Sequence, residues 1–254
     1  MEDFLTVLKE LAEKFQPELS QRVRKVLDLR ELRLLEDVFE TYYQKEESTS
    51  RWYDPYHVLF STLFAVHLTK TNESVSPLIV PAIILHDIGY IAIPNESKEG
   101  WNSTQSRILH MQKGAAIAAK VLAQIGFYNS FEIGIIVEMV ATHDNGYLGI
   151  KTQDFDYLAL RDADRVWVMH LISFYKDWIS KGSIPLLELL RSRRVSFYQE
   201  PALDADNEDR ISLPPFTNLA REWRDRQFND RRKEVEADIV RNPQVFREYL
   251  EKHI

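Results

Sequence analysis

The sequence predicts an all-α protein. Apolar residues recur at helical spacing along most of the chain, as at Phe4, Leu8, Leu11 and Phe15 near its start. No alternation of apolar and polar residues persists long enough to indicate a β-strand. Glycine is scarce, with 8 residues in 254, so few positions interrupt the helical pattern. Together these observations favour a bundle of helices.

Helix boundaries follow from capping residues and turn signals. Asp54-Pro55 is a typical helix start, because Asp caps the first turn and Pro fits within it. The helices expected in the middle of the chain run from Asp54 past His57, from Ser76-Pro77 to Gly89, from Ser103 to Gly126, from Ser130 to His143, and from Asp154 past Asp164. A short helix should begin at Pro185, and one or two charged helices should follow near the C-terminus. Polar or proline-bearing stretches predict connections over residues 45–51, 94–104 and 200–215.

Composition limits the classes of function. The chain has 32 Lys and Arg against 39 Asp and Glu, a net charge of −7, so we expect no nucleic-acid polymer or membrane as a partner. It has no cysteine, which excludes disulfides, thiolate metal sites and cysteine nucleophiles and fits a cytoplasmic location. The N-terminus lacks a signal-peptide pattern. The apolar run Val75–Ile93 contains prolines, His86 and Asp87, which indicates a buried core helix rather than a membrane span.

Six residues have side chains that commonly bind metal ions, namely His57, His86, Asp87, His110, His143 and Asp164. Imidazole and carboxylate together suit zinc, iron, manganese or nickel. Asp87 directly follows the apolar run Ile83-Ile84-Leu85, and a buried carboxylate is costly unless a cation compensates its charge. The alternative is an ordinary helix end, where His86 caps carbonyl groups and Asp87 faces solvent. The dipeptide alone is a weak signal, because chance also yields His143-Asp144.

The order of these residues resembles that of the HD superfamily of metal-dependent phosphohydrolases, an all-α family with the pattern H…HD…D. His57 matches the first histidine, His86-Asp87 the doublet and Asp164 the final aspartate. Asp162 is the less favoured choice for the last position, because the family pattern continues with a basic and an apolar residue. Those residues follow Asp164 as Arg165-Val166.

The resemblance covers about residues 50–180 and implies an arrangement of the chain. Residues 51–180 would form an HD-domain helical bundle. N-terminal helices over 1–50 would pack on it, and accessory helices over 181–254 would complete one compact unit. Three roles are open for these last helices: they could cover a pocket, mediate a homodimer or fill out the core.

His110 and His143 resemble two further ligands. His110 begins a His-x-x-x-Gly element that ends at Gly114, similar to that of two-metal HD proteins such as HD-GYP phosphodiesterases and HD-type di-iron oxygenases. By this resemblance the cofactors are two divalent transition-metal ions (Fe, Mn, Zn, Ni or Co). The implied ligand sets are His57, His86 and Asp164 for one ion, His110 and His143 for the other, and Asp87 as the bridge, with His86 and Asp87 catalytic. The alternative is that His110 is exposed and His143 caps its helix.

Two departures set the chain apart from HD-GYP proteins. HD-GYP proteins usually have Lys after HD-x-Gly, where this chain has Tyr90. They also have a Gly-Tyr-Pro element, where this chain has Asn145-Gly146-Tyr147-Leu148. Hydrolysis of cyclic di-GMP is therefore not expected.

Three functions stay open at this stage. The first is hydrolysis of a phosphomonoester or phosphodiester, such as a nucleotide, by water activated at two metal ions. Candidate substrate-binding residues are Lys113, Arg161 and Arg165 for phosphate, and Tyr90 and Tyr147 for the pocket wall. Each of these could instead pair on the surface or pack in the core. The second function is cleavage of a small polyol or phosphonate by a di-iron oxygenase, and the third is ligand binding without turnover.

Overall fold

The computed structural model describes residues 3–43, 54–72, 74–93, 103–198 and 213–254. Within these ranges the chain forms helices and no strand, which confirms the predicted all-α class. The predicted connection over 45–51 lies outside the described residues, as do most of those over 94–104 and 200–215.

The chain divides into two compact units. Ser20–Asp164 form the central unit, and Met1–Leu19 together with Arg165–Ile254 form the terminal unit. The boundaries expected from the sequence, near residues 50 and 180, stay a prediction.

Eleven α-helices occur in the described part of the chain: α1 Phe4–Arg24, α2 Leu29–Val38, α3 Asp54–Thr71, α4 Ile79–Leu85, α5 Thr104–Ile125, α6 Ser130–Thr142, α7 Phe155–Arg165, α8 Leu171–Ser180, α9 Leu186–Tyr198, α10 Asn218–Glu236 and α11 Pro243–His253. Short 3-10 helices follow α4, α6 and α7, at Ile88–Ala92, Asn145–Leu148 and Val166–Met169. No described helix combines the length and apolar character needed to cross a bilayer.

Local capping sets most helix ends where the sequence predicts them. The Ser103 side chain accepts a hydrogen bond from the Ser106 N–H at the start of α5, and Gly126 ends that helix at φ 73°. Asn129 and Glu132 form a capping box at the start of α6. The same chemistry thus accounts for the predicted and observed limits of both helices.

For the helix predicted from Ser76-Pro77 to Gly89, the predicted end is wrong. It stops at Leu85, and the chain continues through His86 into a 3-10 helix. The backbone at Asp87, with φ −95° and ψ 3°, has left the α-helical region. Gly89 therefore lies inside the 3-10 helix instead of terminating α4.

The core of the central unit is built around α4. All seven of its residues are buried, and it packs against α2, α3 and α6. Burial on every side explains why its sequence is a continuous apolar run instead of an amphipathic pattern. The helix ends at His86-Asp87, so its polar end lies among the other helices that carry candidate ligands.

Gly89 allows a close backbone approach beside this end. A Cβ atom at Gly89 would lie 1.9 Å from the His110 carbonyl oxygen and 2.5 Å from the Gly114 nitrogen of α5. Only glycine tolerates such a contact, since backbone atoms cannot rotate away as a side chain can. The contact brings the segment that follows Asp87 against the turn of α5 that carries His110.

We expect Gly89→Ala to lower the free energy of unfolding by roughly 3 kcal/mol, because the added methyl must displace backbone. Gly134→Ala is the matched control: its Cβ would meet nothing within 4 Å. On the exposed face of α6 that change should stabilise by about 0.5–1 kcal/mol. Urea denaturation measures both, and equal stabilities for Gly89→Ala and the wild type would contradict the packing argument.

The terminal unit has an aromatic core with one buried polar cluster. Phe4 packs edge to face against both Trp178 and Phe246. The Glu234 carboxylate accepts hydrogen bonds from the Tyr175 and Tyr249 hydroxyl groups at 2.5 and 2.8 Å and pairs with Arg231 at 2.7 Å. The buried charge is therefore compensated by neighbours within its own unit.

His170 gives this unit a pH-dependent component of stability. Its Nδ1 accepts a hydrogen bond from the Ile172 N–H as the cap of α8. Burial, aided by the positive charge of Arg231, lowers the pKa of His170 from 6.5 to about 3. Between these values the unfolded chain binds a proton that the folded chain does not, so stability falls as the pH falls below 6.5.

His170→Asn should remove this component and keep the cap, because Asn caps helices well. Between pH 6.5 and about pH 5 the wild type should lose up to about 2 kcal/mol more than the variant. Urea titrations of both proteins at the two pH values measure the difference. Parallel losses in the two proteins would show that His170 does not titrate in this way.

Candidate metal centre

The structure brings the six predicted ligand residues together within the central unit. They come from α3, the end of α4, α5, the end of α6 and α7. They form two groups, in each of which one ligand atom per residue lies within 4.8 Å of the others: His57, His86 and Asp164, and Asp87, His110 and His143. The resemblance to HD proteins implied the same grouping, with Asp87 predicted as a bridge. The role of these residues as metal ligands stays a prediction.

The first group, His57, His86 and Asp164, is held by close polar contacts. His57 Nε2 lies 2.9 Å from Asp164 Oδ1, and His86 Nε2 lies 3.4 Å from the same oxygen. The three residues come from α3, α4 and α7, so the group joins helices that are distant in sequence. In the second group, Nε2 of His110 lies 3.0 Å from Nε2 of His143.

Asp87 connects the two groups. Its Oδ2 lies 3.4 Å from His57 Nδ1 and 3.4 Å from His86 Nε2. Its Oδ1 lies 3.8 Å from His110 Nε2 and 3.7 Å from His143 Nε2. Each oxygen thus faces a different group, which is the arrangement that a bridging carboxylate requires.

Backbone carbonyl groups orient three of the imidazoles. Nδ1 of His86, His110 and His143 lies 2.7, 3.2 and 2.9 Å from the carbonyl oxygens of Ile83, Ser106 and Val140. Because a carbonyl oxygen can only accept, each Nδ1 must carry the hydrogen. In the neutral ring Nε2 is then left with its lone pair directed at the cluster, as in a metal-binding histidine.

A buried nitrogen of the first group, His86 Nε2, makes no hydrogen bond. His86 is 1% exposed, and its Nε2 makes no hydrogen bond although Asp87 and Asp164 oxygens lie 3.4 Å away. An unsatisfied buried polar atom is costly, and a metal ion is one group that would satisfy it. Ligands that share one ion at about 2.0–2.2 Å lie within about 4.4 Å of one another. The Asp164 oxygen meets this condition with both His57 Nε2, at 2.9 Å, and His86 Nε2, at 3.4 Å. The buried His/Asp groups therefore fit metal ions.

The electrostatics of the cluster favour the protonated form of His57 and His143 and the neutral form of His110. Burial lowers the pKa of His57, but hydrogen bonds with Asp164 and Asp87 outweigh this effect and raise it to about 10. Burial also lowers the pKa of His143, but the charge of Asp144 and the contact with Asp87 raise it to about 9. Burial and the charge of His143 lower the pKa of His110 to about 4.

The pKa values of the two carboxyl groups, Asp87 and Asp164, are shifted downward. Burial alone would raise the pKa of Asp164 and Asp87, yet both pKa values are lowered. The hydrogen bond with His57 is the main cause at Asp164, and the charge of His86 is the main cause at Asp87. A buried site that keeps its carboxylates ionised attracts cations.

A buried ion pair beside the second group was missed in the sequence. Arg107 Nη1 donates to Asp144 Oδ2 at 2.6 Å, and both side chains are buried. Asp144 Oδ2 also lies 3.7 Å from His110 Nε2. The signals were present, since Asp144 follows His143 directly and Arg107 lies one turn before His110 on α5. In the sequence alone, the second His-Asp dipeptide is indistinguishable from a chance occurrence.

Tyr157 was also missed. Its hydroxyl group donates to the His143 carbonyl oxygen at 3.3 Å and accepts from the Gly146 N–H at 3.0 Å. Because Tyr157 lies on α7 with Asp164, it links the helix of one group to the turn of the other.

The candidate substrate-binding residues lie in different surroundings. Tyr90 stacks on the His110 ring at 4.0 Å, and Tyr147 lies under the Arg107 guanidinium at 4.1 Å. Lys113 is exposed, and Arg161 lies 3.6 Å from Asp162. Arg165 donates to the Ser196 hydroxyl group, within the terminal unit. Their roles in binding stay predictions.

Searches of protein-family models, curated proteins and solved structures found no match to this chain. The interpretation of the site therefore depends on its own geometry. That geometry offers two adjacent sets of nitrogen and oxygen ligands, which can hold cations and, through them, polarise an oxygen-containing substrate.

We expect the purified protein to bind two equivalents of Mn²⁺ or Zn²⁺ per chain. Asp164→Ala and His110→Ala should each reduce this to about one, because each removes a ligand from one group only. His67→Ala is the control, since His67 is an exposed histidine of α3 outside both groups. Elemental analysis and calorimetric titration measure the stoichiometry. Two ions in all three variants would contradict the assignment of the groups.

Proposed function

We propose that the protein is a metal-dependent phosphohydrolase of the HD superfamily, acting on a small phosphomonoester or phosphodiester such as a nucleotide. The observation that carries this proposal is the position of Asp87, whose two oxygens face two different groups of ligands. The order H…HD…H…H…D along the chain supports the same interpretation.

The chain's own residues would hold and orient the reacting groups. His57, His86 and Asp164 would hold one ion, and His110 and His143 the other, with Asp87 fixing their spacing. Two bound divalent ions would activate a water for attack and stabilise the charge that develops on the phosphoryl oxygens. Hydrogen bonds from three Nδ1 atoms to backbone carbonyl groups keep the imidazoles aimed at the centre.

Charge balance supports an anionic substrate. Two divalent ions carry four positive charges, and the carboxylates of Asp87 and Asp164 compensate two of them. The charges of Arg107 and Asp144 cancel each other, and the ligand imidazoles are neutral when they bind metal. The site would therefore hold an excess of two positive charges, which suits a phosphate ester.

We expect phosphate or nucleoside release from a panel of phosphomonoesters, phosphodiesters and nucleotides in the presence of Mn²⁺. Asp87→Asn should lower kcat/KM by about 1000-fold, or about 4 kcal/mol, because it removes the bridging charge. His67→Ala should keep the wild-type value. Colorimetric phosphate detection and product chromatography provide the readout.

Two results would replace the proposal by its alternatives. Oxygen uptake with a small polyol or phosphonate, together with an iron signal and no phosphate release, would identify a di-iron oxygenase. Full function of Asp87→Ala in cells, despite loss of the metal, would identify a module that binds a ligand without turnover.

A further inference from the structure

The two His-Asp dipeptides have the same local structure. His86 and His143 have φ, ψ values of −55°, −43° and −58°, −32°. Asp87 and Asp144 have values of −95°, 3° and −93°, 7°. Each dipeptide follows the last residue of an α-helix and precedes a 3-10 helix. In each, the histidine Nδ1 bonds to the carbonyl oxygen three residues earlier.

Asp144 is placed to serve the second group. Its Oδ2 lies 3.7 Å from His110 Nε2, as close as Asp87 Oδ1, which lies 3.8 Å from the same nitrogen. Asp144 is 5% exposed, so its carboxylate is directed into the protein. A buried carboxylate at this distance from a lone-pair nitrogen is a suitable partner for a shared cation.

Arg107 fixes the position of this carboxylate. Its Nη1 donates to Asp144 Oδ2 at 2.6 Å, and its guanidinium lies over the Tyr147 ring at 4.1 Å. Both side chains of the ion pair are buried, so neither can turn to solvent without losing its partner. A carboxylate has about four acceptor positions, so the bond with Arg107 leaves capacity for an ion.

We propose that Asp144 is a further carboxylate ligand of the ion held by His110 and His143, and that Arg107 is the positioning residue that holds it there. Each ion would then have two imidazoles, one carboxylate of its own and a share of Asp87. The inference rests on the proposed binuclear site but not on the reaction that the site catalyses.

Loss of the Asp144 carboxylate should affect Mn²⁺ and Zn²⁺ binding differently. Mn²⁺ depends on oxygen ligands more strongly than Zn²⁺ does, whereas imidazole suits Zn²⁺ well. Removing a carboxylate from the second group should therefore weaken Mn²⁺ binding more than Zn²⁺ binding, and at one of the two positions only. An ion pair with a merely structural role would weaken the binding of Mn²⁺ and Zn²⁺ alike.

The test compares Asp144→Asn with the wild type by calorimetric titration and by the paramagnetic resonance signal of coupled Mn²⁺ pairs. We expect Mn²⁺ affinity at one position to fall by about 10- to 100-fold or more, with loss of the coupled signal and a smaller loss for Zn²⁺. Arg107→Lys should reduce the same affinity less. Asp177→Asn is the control, because Asp177 pairs with Arg193 at 2.5 Å in the terminal unit.

A double variant covers the case in which Asp144→Asn does not fold. Arg107→Met with Asp144→Leu replaces both partners by apolar residues, which often preserves folding when a single change does not. It should keep one ion and lose the second. Two Mn²⁺ ions bound with wild-type affinity in either variant would overturn the proposal, as would equal losses of affinity for Mn²⁺ and Zn²⁺ in Asp144→Asn. A wild-type protein that binds no ion would instead refute the proposed function itself.

Discussion

The position of Asp87 between two sets of buried imidazoles is the constraint on which the rest of the site depends. A carboxylate in that position must be compensated, and the charge of His86 with hydrogen bonds from His143 and His57 lowers the pKa of Asp87. Because its two oxygens face different groups, one residue fixes the spacing of both. The surrounding helices supply the histidines that stabilise a carboxylate at a position where an unpaired charge would be unfavourable.

The backbone provides the precision that this arrangement needs. The contact between Gly89 and the backbone of α5 brings the segment after Asp87 against the turn that carries His110. Carbonyl groups at helix ends orient the imidazoles, so the helix termini supply acceptors instead of leaving them unsatisfied. Tyr157 ties the turn after His143 to the helix of Asp164. The ligand side chains are therefore held in place by backbone groups and by Tyr157, which are not themselves candidate ligands.

Charge is balanced around the centre as well as within it. The Arg107–Asp144 pair adds a carboxylate beside the second group without changing the net charge of its surroundings. The two His-Asp dipeptides share one backbone conformation, which occurs at the ends of both α4 and α6. In both cases a 3-10 helix follows, and the one after Asp87 places Tyr90 on the His110 ring.

The sequence by itself determined the helical class and the helix limits that depend on local capping, such as Ser103 and Gly126 around α5. Those features follow from residues a few positions apart. Tertiary structure alone decided where α4 ends, that Asp144 lies beside His110 with Arg107 as its partner, and that Arg165 contacts Ser196. Contacts of this kind join residues that lie far apart along the chain, and periodicity and capping carry no information about such distances.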